Sequence, residues 1–185
     1  MRKLTVFNNV TLDGYFTDAN GDMSWAYNKS SDPEWDAFVA GNAKGGGVLL
    51  FGRITYEMMA GYWPTPMAAE SYPVVAERMN NGQKIVVSNT LDKASWKNTK
   101  LIKGNLTAEI QKLKNEPGEN ITILGSGTIV SQLAKEGLID AYQLVVNPVI
   151  IGKGRTMFDS SLSLKLTQTR AFVNGNVLLS YVKHV

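Results

Sequence analysis

Short runs of β-branched and aliphatic residues alternate along this chain with amphipathic stretches, and that alternation predicts an α/β layered domain. Strands are expected over residues 3–9, 48–51, 84–88, 100–102, 121–124, 141–146, 164–173 and 177–182. The first five read as buried runs. The last two flank Asn174-Gly175-Asn176, where Asn and Gly tolerate the positive φ of a tight turn, and so read as a hairpin. The expected sheet is mixed: mostly parallel early, antiparallel at its end.

Three helices are well punctuated. Asp32-Pro33 makes an N-cap and first-turn pair ahead of Trp35, Phe38 and Val39, whose spacing forms one apolar face. Ile110 and Leu113 mark a second helix, ended by Pro117-Gly118. The third covers residues 128–136, with Ile129, Leu133 and Ala134 inward and Gly137 as its stop.

At 185 residues the chain is long enough for one core and short for two, so a single domain spanning residues 1–185 is expected. The 44% hydrophobic and 19% charged content is that of an ordinary globular protein. A net charge of +3 comes from scattered lysines rather than a basic block, which argues against nucleic acid. With no cysteine and one histidine, His184, disulfides, thiolate chemistry and His-based metal sites are not expected. The basic start of the chain reaches polar Asn8 and Asn9 before a signal region develops, and no segment approaches a membrane span. A cytoplasmic protein with no membrane partner is the expectation.

The chemistry gathers at three strand ends. Ile121-Thr122-Ile123-Leu124 runs directly into Gly125-Ser126-Gly127-Thr128 and a helix, so the backbone there can approach a ligand and free N–H groups can face a phosphate. The third glycine of the dinucleotide fingerprint is missing, and the unit also fits a plain strand-to-helix turn. Val48-Leu49-Leu50-Phe51 leads likewise into Gly52-Arg53-Ile54-Thr55-Tyr56-Glu57, where Arg53 offers a planar fork and Thr55 a hydroxyl, or else a surface arginine and a capping threonine. The strand ending at Ser88 continues into Asn89-Thr90, polar contacts for an adenosine phosphate or ribose, or simply a turn. Together the three fit a ligand lying outside the carboxyl ends of an open sheet.

These segments resemble the dihydrofolate reductase superfamily in order and spacing. Gly52-Arg53-x-Thr55-x-Glu57 is similar to its Gly-Arg-x-Thr-x-Glu segment, Val86-Val87-Ser88 to its next strand end, and Gly125-Ser126-Gly127 stands where it carries a Gly-Gly pair. Leu12-Asp13-Gly14 and the stretch from Asn147-Pro148 through Gly152-Lys153-Gly154 to Phe158 resemble the branch containing the reductase domain of riboflavin biosynthesis. Gly21-Asp22-Met23-Ser24-Trp25 resembles the mobile Met-x-Trp loop over nicotinamide.

The resemblance implies a dihydrofolate reductase-like three-layer α/β/α fold with a sheet of about eight strands. It implies NADPH as cofactor, held by Asn9, Val10, Gly52, Arg53, Thr55, Ser88, Asn89, Gly125, Ser126, Gly127 and Thr128, with Asn8 beside the nicotinamide. It implies an aromatic, heterocyclic substrate near Trp25, Trp35, Phe38 and Gly152, and a homodimer. Asp13 and Glu34 are the candidate proton donors, Glu34 because aligning Phe38 with the family's substrate-packing phenylalanine puts it at the acid position; both also read as ordinary turn or first-turn acids. The implied activity is hydride transfer from NADPH to a small heterocycle, as in 5-amino-6-(5-phosphoribosylamino)uracil reductase. The alternatives are a true dihydrofolate reductase and a non-catalytic NADPH-binding module.

Overall fold

The computed structural model describes residues 1–27 and 32–184. Strands β1 (Leu4–Thr11), β2 (Val48–Gly52), β3 (Lys84–Val87), β4 (Thr99–Ile102), β5 (Ile121–Leu124), β6 (Ala141–Asn147), β7 (Leu164–Ala171) and β8 (Val177–Lys183) form one eight-stranded sheet. Its order is β4-β3-β2-β5-β1-β6-β8-β7. Pairings from β4 to β6 are parallel, and β8 pairs antiparallel with both β6 and β7.

Strand order decides where the helices lie. The chain crosses the sheet one way from β1 to β4 and returns the other way through β5 to β6, so right-handed crossovers deliver helices to opposite faces. On one face are α1 (Pro33–Lys44), α2 (Arg53–Tyr62), α3 (Pro66–Ser71) and α4 (Pro73–Asn81); on the other are α5 (Leu106–Asn115) and α6 (Gly127–Lys135). Contacts between α1 and α4, and between α5 and α6, agree with that division.

Strand alternation then sorts the side chains into two layers. Val48 and Leu50 join Leu4, Val6, Ile121 and Ile123 beneath Ile110, Leu113, Ile129 and Leu133 of α5 and α6. Leu49 and Phe51 point the other way, onto Tyr56 and Met79 with Val86 and Trp96. Trp35 and Phe38 of α1 cover Phe7, Val145, Phe172 and Leu178 on that same face. Full burial of each such side chain contributes about 1.5–3 kcal/mol, so the layers and not helix propensity hold the elements in place.

The sequence expectations of a mixed sheet, a terminal hairpin and helices between strands describe this fold. Three details differ. The strand at 100–102 is not a buried run: β4 is an edge strand, and only Ile102 in it is buried. The strand expected to reach residue 173 ends at Ala171, because Phe172 already donates its N–H across the turn to the Asn176 carbonyl. Helices α3 and α4 were not anticipated, although Pro66 after the capping Thr65 and Pro73 after Tyr72 are first-turn signals. Among the described residues no helix is long and apolar enough to cross a membrane.

Candidate functional site

Because β4 through β6 are parallel, the residues following β1, β2, β3, β5 and β6 share one edge of the sheet. Neighbouring strands β2 and β5 send their helices α2 and α6 to opposite faces, and a crevice opens where such connections diverge. The segments after β2 and β5 therefore meet at this crevice.

The meeting is fixed by backbone-directed side chains. Ser126 Oγ accepts from the Gly52 N–H at 2.8 Å and donates to the Leu124 carbonyl at 2.9 Å. Thr55 Oγ1 accepts from the Ser126 N–H at 3.0 Å. Asn8, 3% exposed, takes the Gly125 peptide by both polar atoms: its Oδ1 accepts from the Gly125 N–H at 2.6 Å and its Nδ2 donates to the Gly125 carbonyl at 2.9 Å. Gly125 (φ +58°) and Ser126 (φ +61°) are both left-handed, and a Cβ on Gly125 would sit 2.7 Å from Thr55 Cγ2. Only glycine fits there.

What this leaves open is a pair of helix starts. Helices α1, α3 and α5 are capped by the side chains of Asp32, Thr65 and Asn105, whereas α2 and α6 have no side-chain cap, a feature they share with α4. Thr128 is exposed on the first turn of α6. Arg53 is exposed on the first turn of α2 and, among the described residues, is held only by Glu57 at 3.4 Å. Uncapped N–H groups, the positive helix ends and a loosely tethered guanidinium suit a phosphorylated, dinucleotide-sized ligand.

The other expected cofactor residues are placed as follows. Ser88 Oγ accepts from the N–H groups of Thr90 and Leu91, at 3.2 and 3.0 Å, and shapes the turn after β3. Asn89 Oδ1 accepts from the Gly104 N–H at 2.7 Å, tying the ends of β3 and β4. Val10 packs into the core beneath α6, which leaves only its backbone for a ligand. Asn9 lies half-buried on the α1 face of β1.

Leu12-Asp13-Gly14 and the loop after β6 form one unit. Leu12 donates its N–H to the Val149 carbonyl at 2.8 Å, and Asp13 accepts from the N–H of Gly152 at 2.8 Å and of Ile151 at 3.4 Å. The Thr11 hydroxyl, and then those two N–H groups, hold the Asp13 carboxyl below its ordinary value. A Cβ on Gly154 would collide with the Thr17 carbonyl, in the bridge where Thr17 pairs with Arg155.

Glu34 forms a salt bridge with Arg170 at 2.5 Å, and Arg170 lies 4.7 Å over the Phe172 ring. Trp35 meets Phe172 edge-on at 5.0 Å and Phe38 at 5.5 Å, so both α1 aromatics are primarily the packing between helix and sheet. Trp25 sits in a 3-10 turn (Ser24–Ala26) against β1. The Asp32 side chain accepts from the N–H groups of Glu34 and Trp35, and from that of Asn174 in the hairpin turn. The Asn174 N–H leads the contacts that lower the Asp32 pKa.

Sequence reasoning placed Asn8 beside the nicotinamide. In the structure its side chain holds the Gly125 peptide at the crevice. Asn147 and Asn176 were not singled out as functional at all. Asn147 opens the stretch that resembles the riboflavin branch and Asn176 closes the hairpin turn, but what brings them opposite each other is the pairing of distant strands.

Comparison with known proteins places this geometry. The model of the RibD C-terminal domain family matches residues 2–178. Uncharacterized protein YyaP of Bacillus subtilis (strain 168) is 26% identical over 183 residues, covering 97% of this chain and 94% of its own. The crystal structure of a putative riboflavin biosynthesis protein from Shewanella sp. PV-4 superposes with a TM-score of 0.77 at 23% identity over 99% of both chains. Dihydrofolate reductase from Enterococcus faecalis, solved with NADP(H), superposes with a TM-score of 0.65 at 14% identity, covering 99% of this chain and 97% of that one. The fold is thus dihydrofolate reductase-like, and the chain belongs to the RibD C-terminal domain family.

Proposed function

We propose that this protein is an NADPH-dependent reductase that delivers a hydride to a small heterocycle, similar in reaction type to 5-amino-6-(5-phosphoribosylamino)uracil reductase. The observation that carries the reading is the crevice where the uncapped starts of α2 and α6 are locked side by side by Ser126, Thr55 and Asn8, with Arg53 at its rim. Family membership and the dihydrofolate reductase-like fold support it.

The residues present fit a phosphorylated dinucleotide. Backbone N–H groups of Gly127 and Thr128 and the first turn of α2 would hold its pyrophosphate, and Arg53 the 2′-phosphate that distinguishes NADPH from NADH. When bound, NADPH supplies the hydride at C4 of its nicotinamide. The chain's own contribution is orientation and exclusion of water: β1 and the Gly125 turn fix the floor, while Trp25 and the loop pinned by Asp13 border the acceptor side.

Neither expected proton donor is poised to give a proton. Asp13 is kept ionised by its three donors, and Glu34 is paired with Arg170. The acceptor's proton therefore comes from solvent. The occupied Glu34 also disfavours a true dihydrofolate reductase, whose helix carboxylate must be free for the substrate. The same occupancy favours the second reading, a module that binds NADPH without turnover. Loss of NADPH absorbance on adding pteridines or aminouracils separates the two: turnover with any of them establishes the reductase, and binding without turnover by all of them establishes the module.

A further inference from the structure

Helix α1 covers only part of its face of the sheet. Toward the carboxyl ends of the parallel strands, Trp35 and Phe38 cover Phe7, Val145 and Leu178. Nearer the amino ends the same face turns polar. Gln143 pairs with Ser180 and Ser180 with Gln168; beside them Thr122 pairs with Thr5, Thr5 with Ala141, and Ala141 with Val182. Strand alternation puts both rows on the α1 face, where they floor an open groove of about 650 Å³. The groove lies at the opposite end of β1, β5 and β6 from the crevice.

One wall is the turn after α1. Gly46 and Gly47 are left-handed (φ +77° and +85°), and a Cβ on Gly47 would sit 2.9 Å from the Asn120 carbonyl oxygen. Arg78 of α4 donates to the carbonyls of both glycines, so the turn is held fast against the start of β5. The polar groups on the floor are uncommitted. The side chains of Thr5, Thr122, Gln143 and Gln168 make no hydrogen bond with any described residue, and all four are half-buried or exposed, within reach of a ligand. Ser180 Oγ, between the two glutamines in register, has no partner among the described residues either, so neither amide is engaged there. Elsewhere the exposed sheet surface carries charge, as at Lys165 and Lys183, but neither lysine lines the groove. Among its described lining residues only Glu119 is charged.

We propose that this groove is a binding site for a neutral sugar of one or two pyranose rings. A pyranose carries hydroxyls around its rim and C–H groups on its faces. Amide and hydroxyl side chains match the rim, because they donate and accept as sugar hydroxyls do. Ala141 and Val182, paired beside Gln143 and Ser180, supply apolar contact for a face. The Glu119 carboxylate, 3.9 Å from the place of a Gly46 Cβ, has two oxygens to accept from neighbouring hydroxyls. With the negative end of α1 at Gly45 it also disfavours an anion. The volume falls within the range of small-molecule sites, about 300–1,000 Å³. This site is separate from the crevice and does not rest on the reductase reading.

The test titrates maltose, cellobiose and lactose into the full chain by ligand-observed NMR, with glucose 6-phosphate as the charged control, each with and without NADPH. At least one disaccharide should bind saturably, more tightly than glucose 6-phosphate, and stay bound at saturating NADPH. In the double variant Gln143→Met with Gln168→Met, which keeps side-chain length without the amides, its affinity should fall about tenfold or more. No saturable binding by any of the three, tighter binding of glucose 6-phosphate, displacement by NADPH, or undiminished affinity in the double variant would overturn the site. Sedimentation of the unmodified chain as a dimer that the double variant dissolves would give this face to a second copy and overturn it as well. The sugar comparison on the unmodified protein, and Thr5→Val, which exchanges a hydroxyl for a methyl and should also weaken the sugar, keep the test decisive if the double variant fails to fold. Sugar binding without any dinucleotide binding would keep this site and remove the reductase reading.

Discussion

Asn8 and Gly125 lie 117 residues apart and meet amide to peptide, with Asn8 serving both the N–H and the C=O of the glycine. This pairing holds the left-handed turn after β5 in register with β1, and so sets the floor of the crevice. Replacing Asn8 by Leu leaves two backbone groups unmatched and should destabilise the fold by about 1–3 kcal/mol. Urea denaturation measures that loss. Dinucleotide affinity measured on the folded fraction should fall too, whereas an unchanged affinity would separate the turn from the cofactor site.

The glycine itself can be tested against a partner in the same backbone conformation. Gly125 and Gly152 both have positive φ, but a Cβ meets Thr55 at the first and nothing within 4 Å at the second. Both substitutions to Ala carry the left-handed strain; only Gly125→Ala adds overlap, so it should be less stable than Gly152→Ala by about 1–3 kcal/mol. Equal losses in thermal or urea unfolding would show that the close approach to Thr55 is not what requires glycine.

Much of this arrangement was legible in the sequence and some was not, for a physical reason. Gly52-Arg53 and Gly125-Ser126-Gly127 announce themselves because strand, turn and helix start are local signals carried by consecutive residues. The hydroxyls of Ser126 and Thr55 also staple two strand ends, a role that consecutive residues do not reveal. Ser88 and Asn89 do the same for the neighbouring loops. Such cross-links depend on strand order, which no single segment encodes. The juxtaposition of Asn147 and Asn176 was hidden for the same reason, since one reads as the start of a loop and the other as part of a hairpin turn.

Asp13 anchors the loop after β6, which the proposed reading puts on the acceptor side. Asp13→Ala should raise KM for the acceptor with a smaller change in kcat, and leave the Kd for NADPH unchanged. Its lowered pKa fixes the pH sign: the anchoring is fully present above the ordinary carboxyl range and is lost only as pH falls through the depressed folded value. A rise in acceptor KM beginning near neutral pH would contradict that assignment.

Lys84 provides a second pH signature, remote from the crevice. It is 1% exposed, donates to the carbonyls of Met79 and Gly82 at 2.9 and 2.7 Å, and lies 4.5 Å over Trp96. Burial, with Arg78 and Lys97 nearby, lowers its pKa to about 8. The unfolded chain then holds this proton over a range of pH where the folded chain has released it, so the group's contribution to stability rises from pH 8 toward 10.5. The stability difference between the protein and Lys84→Met should move in favour of lysine across that window. A move in the opposite direction in paired urea titrations would show that the carbonyls outweigh the burial.

In the proposed reading the crevice beside α2 and α6 binds NADPH, with Arg53 reading its 2′-phosphate. Titration with NADPH and NADH, followed by tryptophan fluorescence, tests it most directly. Among the described residues Arg53 makes only an exposed pair with Glu57, so Arg53→Ala should leave folding intact. NADPH binding should be saturable and should weaken about tenfold in Arg53→Ala, with NADH affected less. Equal losses for the two dinucleotides would remove Arg53 from the 2′-phosphate, and failure to bind either one would contradict the account as a whole.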